Sequence, residues 1–193
     1  MIERSAERDA AILATLPHVP RLGWTAAALE AGLRGIGEEP AAHRWLFPTG
    51  PLGAASAWSD LADRRMEEAA AREDLSTLRI PARIRRVVEI RLEQASPHRD
   101  ALRRALALMA LPWNAGTLAR TLARTADSVW AAAGDTSADF SWYTRRASLA
   151  GLYAATLTYW LREPEDTPAT LDFLDRRMAG LARATGRGPR KAS

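Results

Sequence analysis

Few of the residues that could take part in catalysis or metal binding have the spacing that such a site requires. The chain has no cysteine, and its three histidines, His18, His43 and His98, lie far apart and form no metal-ligand motif. The carboxylate pairs Glu38-Glu39 and Glu67-Glu68 fall on faces that we predict to be exposed, which disfavours a role as general acid. Serine and histidine form no recognisable nucleophile motif, and no phosphate-binding or dinucleotide fingerprint occurs. The sequence therefore predicts a protein that is not an enzyme and that needs no metal or cofactor.

The most crowded group of aromatic and charged side chains lies near the start of one long segment. Trp142, Tyr143, Arg145 and Arg146 follow a polar, turn-like stretch that begins at Asp135. A helix N-terminus favours acidic residues because it carries a partial positive charge. Two arginines at that position therefore indicate an acidic neighbour or a binding partner.

The residues after this group predict the helix that positions it. Seven side chains follow the i, i+3, i+4, i+7 spacing of one helix face: Leu149, Leu152, Tyr153, Thr156, Leu157, Trp160 and Leu161. Strand signals are nearly absent elsewhere, so we predict an all-helical protein with short connections at proline and glycine. The expected helices cover roughly 3–16, 25–34, 40–46, 52–75, 82–95, 97–112, 114–133, a segment ending at 161, and one starting at 167.

Two of these helices are expected to carry charged outer faces. In the helix at 52–75 we assign six side chains to the exposed face: Asp60, Asp63, Arg64, Arg65, Glu67 and Glu68. In the helix at 82–95 the outward residues are Arg83, Arg86 and Arg91. A solvated face is a commoner use of such an arginine run than an anion-binding patch.

Composition limits the binding partners and cellular locations that we expect for the protein. The 193 residues are 47% hydrophobic, which is enough for one sizeable core, and the net charge of +4 permits but does not demand an anionic partner. No apolar run approaches the roughly 20 residues of a membrane span, and the start of the chain has no signal-peptide apolar region. We expect a cytoplasmic protein that is peripheral to a membrane.

The first 50 residues predict three short helices that resemble a helix-turn-helix, with Trp45 and Phe47 where TetR-type repressors carry aromatics. Five arginines and six acidic residues give this segment a net charge of −1. The stretch that should enter a DNA groove opens with Glu38 and Glu39. Because a DNA reader needs a basic face, the charge disfavours nucleic acid. A ligand-responsive TetR-type regulator is kept as the alternative function.

The last helix carries a narrow apolar seam beside a basic tail. Thr167-Pro168 reads as an N-cap followed by an N1 proline. From Arg176 onward there are six basic residues and no acidic one. Such a helix either packs on the bundle, which is the commoner use, or binds an anionic membrane surface.

Several segments together resemble the coenzyme Q biosynthesis protein nine family. The resemblance is carried by residues 135–161, by Thr167, and by the FLDRR stretch at 173–177. It extends to 84–113, which includes ALMALPW at 107–113, to Gly23-Trp24-Thr25, and to 47–51. The block DFSWYTRRA at 139–147 is long and aromatic, so chance similarity is improbable.

This resemblance implies a TetR-repressor-like fold and an accessory, non-enzymatic role in ubiquinone biosynthesis. It implies a degenerate helix-turn-helix over 1–50, a lipid-binding bundle over 51–184 and a disordered basic tail over 185–193. The bundle would bind an isoprenoid quinone intermediate or a phospholipid at the inner membrane, with no nucleic acid. It would present the lipid to a di-iron demethoxyubiquinone hydroxylase, and the chain would form a homodimer through its C-terminal helices.

Site residues follow from the resemblance. The docking patch would consist of Asp135, Trp142, Tyr143 and Arg146, and the membrane-facing residues would be Leu171, Phe173, Leu174, Met178 and Leu181. Ten apolar side chains could line the lipid cavity, although an ordinary core is the commoner use of any one of them: Leu102, Leu106, Met109, Leu118, Leu122, Leu149, Leu152, Tyr153, Leu157 and Trp160.

Overall fold

The computed structural model describes residues 4–134, 141–162 and 167–184, with side chains described from 146 in the second range and to 183 in the third. This part of the chain is helical and contains no strand. Its α-helices are α1 Ala6–Thr15, α2 Val19–Leu22, α3 Ala26–Gly35, α4 His43–Leu46, α5 Gly50–Ala70, α6 Ile80–Ala95, α7 Arg99–Met109, α8 Ala115–Ala132, α9 Ser141–Arg162 and α10 Thr167–Ala184. The predicted all-α class is confirmed.

Local sequence explains where several helices begin. The Ser5 hydroxyl accepts a hydrogen bond from the Arg8 backbone N–H at the start of α1, and Thr25 caps α3 in the same way. Gly50 has a φ of 64° and lets the chain turn from α4 into α5. One predicted end was wrong: α5 stops at Ala70 rather than near Leu75. The chain from 71 to 79 forms turns instead, because Arg83 holds the Ser76 and Leu78 carbonyl oxygens.

Helices α1 and α3 approach closely at a glycine. A Cβ added at Gly32 would lie 2.7 Å from the Thr15 backbone nitrogen, which is closer than real Cβ contacts allow. Gly32 is therefore the residue that permits this spacing. Trp24, just before α3, donates from Nε1 to the Ala101 carbonyl oxygen of α7 over 2.9 Å. Its ring lies 5.6 Å from that of Trp58 in α5, which ties the N-terminal helices to the rest of the bundle.

Helix α5 lies at the centre of the bundle. It packs against α1, α6 and α8, while α9 packs against α8 and α10, and α10 also contacts α6. The buried apolar side chains form one continuous cluster that includes residues on both sides of position 50. Among the described helices, none is both long enough and apolar enough to cross a bilayer.

Candidate ligand and docking sites

A buried ionic network joins α5, α6, α8 and α9. Asp63 and Asp60 are each 2% exposed. Asp63 accepts a hydrogen bond from Arg91 Nε at 3.3 Å and one from the Thr125 hydroxyl at 3.0 Å. Arg91 is itself buried beside Tyr153. A buried carboxylate held by a buried guanidinium and a hydroxyl is well satisfied, as a charge in a core must be.

Asp60 is surrounded by arginines from three parts of the chain. Arg4 donates to both of its oxygens at 2.9 and 3.1 Å, and Arg64 donates at 3.2 Å. Arg124 of α8 lies 3.7 Å away. Arg64 also makes a two-pronged contact with Asp9 of α1, at 2.8 and 3.0 Å. Through Asp60 and Arg64, these contacts connect both α1 and α8 to α5.

The two carboxyls respond differently to this environment. Burial would raise the pKa of Asp60, but hydrogen bonds from Arg4 and Arg64 outweigh burial and lower it. Burial prevails at Asp63 and raises its pKa, although Arg91, Arg124 and Thr125 oppose the shift. Each carboxyl is engaged by arginine, which describes a structural network rather than a free acid or base.

This network is buried where the sequence predicts exposed charges. The sequence places Asp60 and Asp63 on an exposed face and Arg91 outward, and these predictions are wrong because all three side chains are buried. The available signal was the alanine content of α5, because Ala54, Ala55 and Ala57 widen the buried arc beyond one stripe. Helices α6 and α8 close over that second face, and the acidic residues are covered by arginines.

The predicted docking patch is described only at Arg146. Asp135 lies outside the described residues, and the side chains of Trp142 and Tyr143 are also outside them. Arg146 Nε donates to Asp127 Oδ1 on α8 over 2.6 Å. An acidic neighbour is one of the two explanations that the sequence leaves open for this arginine, and Asp127 in the last part of α8 is that neighbour. No sequence pattern singles out Asp127.

The ten predicted lipid-binding residues lie in or against the core. Six are buried: Leu102, Met109, Leu149, Tyr153, Leu157 and Trp160. Leu106, Leu118, Leu122 and Leu152 are half-buried at the edge of the same cluster, on α7, α8 and α9. The two cavities described here have other walls. Assignment of these ten residues to a lipid site stays a prediction.

One cavity of about 320 Å³ lies between α1, α5 and α6. Leu16, Trp58 and Leu61 contribute apolar walls, and Arg91 and His98 contribute polar ones. The His98 ring meets the Trp58 ring edge to face, with centroids 6.4 Å apart. Burial, and then the charge of Arg65, lower the pKa of His98 and favour its neutral form.

The five residues of α10 that are predicted to face a membrane differ in their exposure. Leu171 and Leu174 are buried in the bundle, and Leu181 is 36% exposed. Phe173 is half-buried and stacks on Tyr159 of α9 with ring centroids 4.7 Å apart, and Met178 packs against the core edge. Arg85 of α6 fastens the helix through Asp175 at 2.9 Å. Leu171 and Leu174 could meet a membrane only after α10 leaves this position.

The N-terminal helices are poorly suited to DNA. The element at the recognition-helix position is α4, which has only four residues, preceded by a 3-10 turn at Pro40–Ala42. Glu38 and Glu39 are exposed just before it, and Trp45 is 57% exposed. A short element flanked by acids lacks the basic face that phosphate contacts require.

The sequence relatives of this chain are COQ9 proteins. The COQ9 family model matches residues 115–185, which contain most of the motif described above. Ubiquinone biosynthesis protein COQ9, mitochondrial, of Rattus norvegicus is 32% identical over 174 residues, covering 86% of this chain and 56% of the relative. The chain is related to the COQ9 proteins over most of its length. The Schizosaccharomyces pombe COQ9 protein is 30% identical over 167 residues, covering 84% of this chain and 65% of the relative.

These relatives confirm the resemblance seen in the sequence. The chain spans 56% and 55% of the length of the rat and human COQ9 proteins, so it corresponds to about half of each. All three relatives named here carry the word mitochondrial in their names.

The TetR-like fold is also confirmed. A TetR transcriptional regulator from Nitrosomonas europaea ATCC 19718 superposes with a TM-score of 0.72, covering 93% of this chain and 99% of the regulator. The two sequences are 20% identical, so the likeness concerns the fold alone.

Proposed function

We propose that this chain is a non-enzymatic lipid-binding accessory protein in ubiquinone biosynthesis. It binds an isoprenoid quinone intermediate at a membrane and presents it to a demethoxyubiquinone hydroxylase. The observation that carries the proposal is the 32% identity, over 86% of the chain, to proteins named for ubiquinone biosynthesis. The structural features below support its parts.

The lipid part of the proposal rests on the edge formed by α7, α8 and α9. Leu106 and Leu118 are half-buried near the turn that joins α7 to α8. That turn carries Trp113, which is 77% exposed. Tryptophan favours the interface between water and lipid, so an exposed indole beside a half-buried apolar edge suits a protein that collects an apolar tail from a bilayer. A polyprenyl tail leaves the bilayer only for comparable apolar surroundings.

Helix α10 supplies the second membrane contact in this proposal. Met178 and Leu181 lie on its accessible side, with Arg176 and Arg177 exposed beside them. An apolar strip flanked by arginines matches the pattern of helices that lie on anionic membranes. Release of α10 from α6 and α9 would add Leu171 and Leu174 to that strip and would open the core beneath it.

The hydroxylase would dock where α8 and α9 meet. Asp127 and Arg146 form an ion pair there, and Asp127 is half-exposed. Trp142 and Tyr143 precede Arg146 by about one turn of α9. We therefore extend the proposed docking patch to include Asp127. We further propose a homodimer through the C-terminal helices, which sedimentation equilibrium would distinguish from a monomer.

Deletion of the gene in its own organism tests this function. Ubiquinone should fall and demethoxyubiquinone should accumulate in lipid extracts, and the wild-type chain should restore both. A Trp142→Ala chain should fold normally but fail to restore ubiquinone if Trp142 docks the hydroxylase. If Trp142 is core instead, the same substitution should cost roughly 3–5 kcal/mol of stability. Unchanged ubiquinone in the deletion strain would contradict the proposal.

A further inference from the structure

We propose that a second cavity, between the start of α5 and one face of α8, binds a phosphoryl group. This phosphoryl pocket has a volume of about 520 Å³. It is distinct from the lipid and docking sites proposed above. Ten residues line it: Arg8, Pro48, Thr49, Leu52, Gly53, Ser56, Thr117, Arg120, Thr121 and Arg124.

The charge of the lining selects an anion. Three of the lining residues are arginines, four carry hydroxyl groups, and no lining residue is acidic. Asp60 and Asp63 lie behind Arg124, at 3.7 and 3.6 Å from its Nε, and are engaged from their other sides by Arg4, Arg64 and Arg91. Arginine and hydroxyl donors together match the several oxygen acceptors of a phosphoryl group.

A short duplication in the sequence builds one wall. Residues 117–124 read TLARTLAR, so Thr117, Arg120, Thr121 and Arg124 recur at i, i+3, i+4 and i+7. That spacing places all four side chains on one face of α8. Leu118 and Leu122 fall on the other side of the helix, at the edge of the core. One helix thus separates the phosphoryl pocket from the apolar edge proposed to hold lipid.

The Thr121 hydroxyl is the most informative group in the pocket. Thr121 is 6% exposed, yet its Oγ1 has no hydrogen-bond partner. Buried helical threonines normally bond to the carbonyl oxygen four residues back, as Thr15 and Thr156 do in this protein. A buried hydroxyl without a partner destabilises the folded state. Thr121 lines the pocket, so a turn about its Cα–Cβ bond would bring this covered hydroxyl to a bound oxyanion.

Contacts within the protein fix the positions of the three arginines around the phosphoryl pocket. The Arg8 guanidinium lies over the Phe47 ring, 5.3 Å from its centroid. Arg124 donates to the Ser56 carbonyl oxygen at 3.2 Å. Arg120 donates to the Thr117 hydroxyl at 3.2 Å, which uses one of the five N–H groups of a guanidinium. These contacts fix the three side chains, and Arg120 and Arg124 each keep further N–H groups that can donate to a ligand.

The opposite wall is the first turn of α5. Thr49, Leu52 and Gly53 line the pocket there, and the N-terminus of a 21-residue helix adds a partial positive charge. A Cβ at Gly53 would meet the Thr49 Oγ1 at 2.1 Å. Glycine at this position therefore leaves room for the Thr49 side chain, which occupies the space that a Cβ would take.

Calorimetric titration tests the proposal with three probes: inorganic phosphate, inorganic pyrophosphate and dihexanoyl phosphatidic acid. Dihexanoyl phosphatidylcholine serves as the zwitterionic control. We expect saturable binding of one probe per chain. Binding of phosphate or pyrophosphate would identify a free phosphoryl ligand, and binding of phosphatidic acid alone would identify a lipid headgroup. Failure of all three probes to bind saturably would overturn the proposal.

Two variants separate the pocket from general charge. Arg120→Gln and Thr121→Val should each weaken binding by about tenfold or more, because each removes a donor to a charged group. Arg162→Gln, which removes an exposed arginine at the end of α9, should change it less than about twofold. Thr121→Val should also raise the melting temperature, since it removes an unpartnered buried hydroxyl.

Equal affinities of wild type, Arg120→Gln and Thr121→Val would overturn the pocket, and so would an equal loss in Arg162→Gln. Because neither Arg120 nor Thr121 belongs to the proposed lipid or docking sites, that result would leave the function proposed above standing.

Discussion

Arg146 Nε lies 2.6 Å from Asp127 Oδ1, and this ion pair joins the beginning of α9 to the last part of α8. It explains why an arginine occupies the first turns of a helix, where the partial positive charge is unfavourable for it. The pair also places a half-exposed carboxylate beside the segment that contains Trp142 and Tyr143. The proposed docking patch therefore spans two helices.

Removal of one partner should separate docking from folding at this pair. Arg146→Ala should lower stability by about 1 kcal/mol or less, because Asp127 is half-exposed. The same variant should weaken hydroxylase binding by about 2 kcal/mol, roughly 30-fold in Kd, if Arg146 is a central contact. Surface plasmon resonance and thermal melts measure the two effects.

The charge-swapped double variant Asp127→Arg with Arg146→Asp is the control for this prediction. It should recover the ion pair and the melting temperature but not the hydroxylase binding. Recovery of binding together with stability would mean that the pair acts only within the fold.

The contact between α1 and α3 should be sensitive to a single methyl group. Gly32→Ala places a Cβ 2.7 to 2.8 Å from the backbone of Ala14 and Thr15, and backbone cannot rotate aside. We expect the free energy of unfolding to fall by about 1–3 kcal/mol, as it does when other cores are overpacked. Gly151→Ala is the matched control, since no atom lies within 4 Å of its Cβ position. That variant should gain roughly 0.5–1 kcal/mol in urea denaturation, and similar values for both would refute the close approach.

Removing one member of the buried pair of Asp63 and Arg91 should destabilise the fold strongly, whereas replacing both members by apolar residues should not. Asp63→Asn leaves the Arg91 charge, which is buried, without its nearest counter-ion. We expect a loss of about 3–5 kcal/mol, or about 10 °C in melting temperature for a chain of this size. The double variant Asp63→Leu with Arg91→Leu should recover most of it. A single variant as stable as the wild type would show that the network contributes little.

Stability should depend on pH through His98. Its pKa is lowered in the folded state by burial and by Arg65, so the unfolded chain binds a proton more readily. The contribution of His98 is fully present above the unfolded pKa of roughly 6.5. It is lost as pH falls from that value through the folded pKa. Urea denaturation at pH 7.5 and 5.5 should show a larger loss for the wild type than for His98→Gln, and equal losses would contradict the shift.

The periodic parts of the fold were readable from the sequence. The stripe from Leu149 to Trp160 predicted one face of α9, and Leu149, Tyr153, Leu157 and Trp160 are buried as that stripe requires. Thr25 and Thr167 marked the starts of α3 and α10, because cap and proline chemistry is local. The family motif could be recognised for the same reason, since its residues are continuous in the chain.

The burial of the charged residues could not be predicted from local sequence patterns. Whether Asp60 and Asp63 face water depends on which helices close over the second side of α5, and that is decided by tertiary packing. The arginines that satisfy them come from positions 4, 64, 91 and 124, so no local pattern connects them. The phosphoryl pocket has the same origin, because its donors come from α1, α5 and α8.

Mass spectrometry of lipids extracted from the purified chain would show whether the protein binds an isoprenoid quinone intermediate. The protein should be expressed in its own organism, extracted without detergent, and compared with a Leu106→Asp and Leu118→Asp double variant whose fold is checked by circular dichroism. We expect an isoprenoid quinone intermediate in near-stoichiometric amount in the wild type and little in the variant. A wild-type chain that carries no isoprenoid and does not bind quinone-containing liposomes would contradict it.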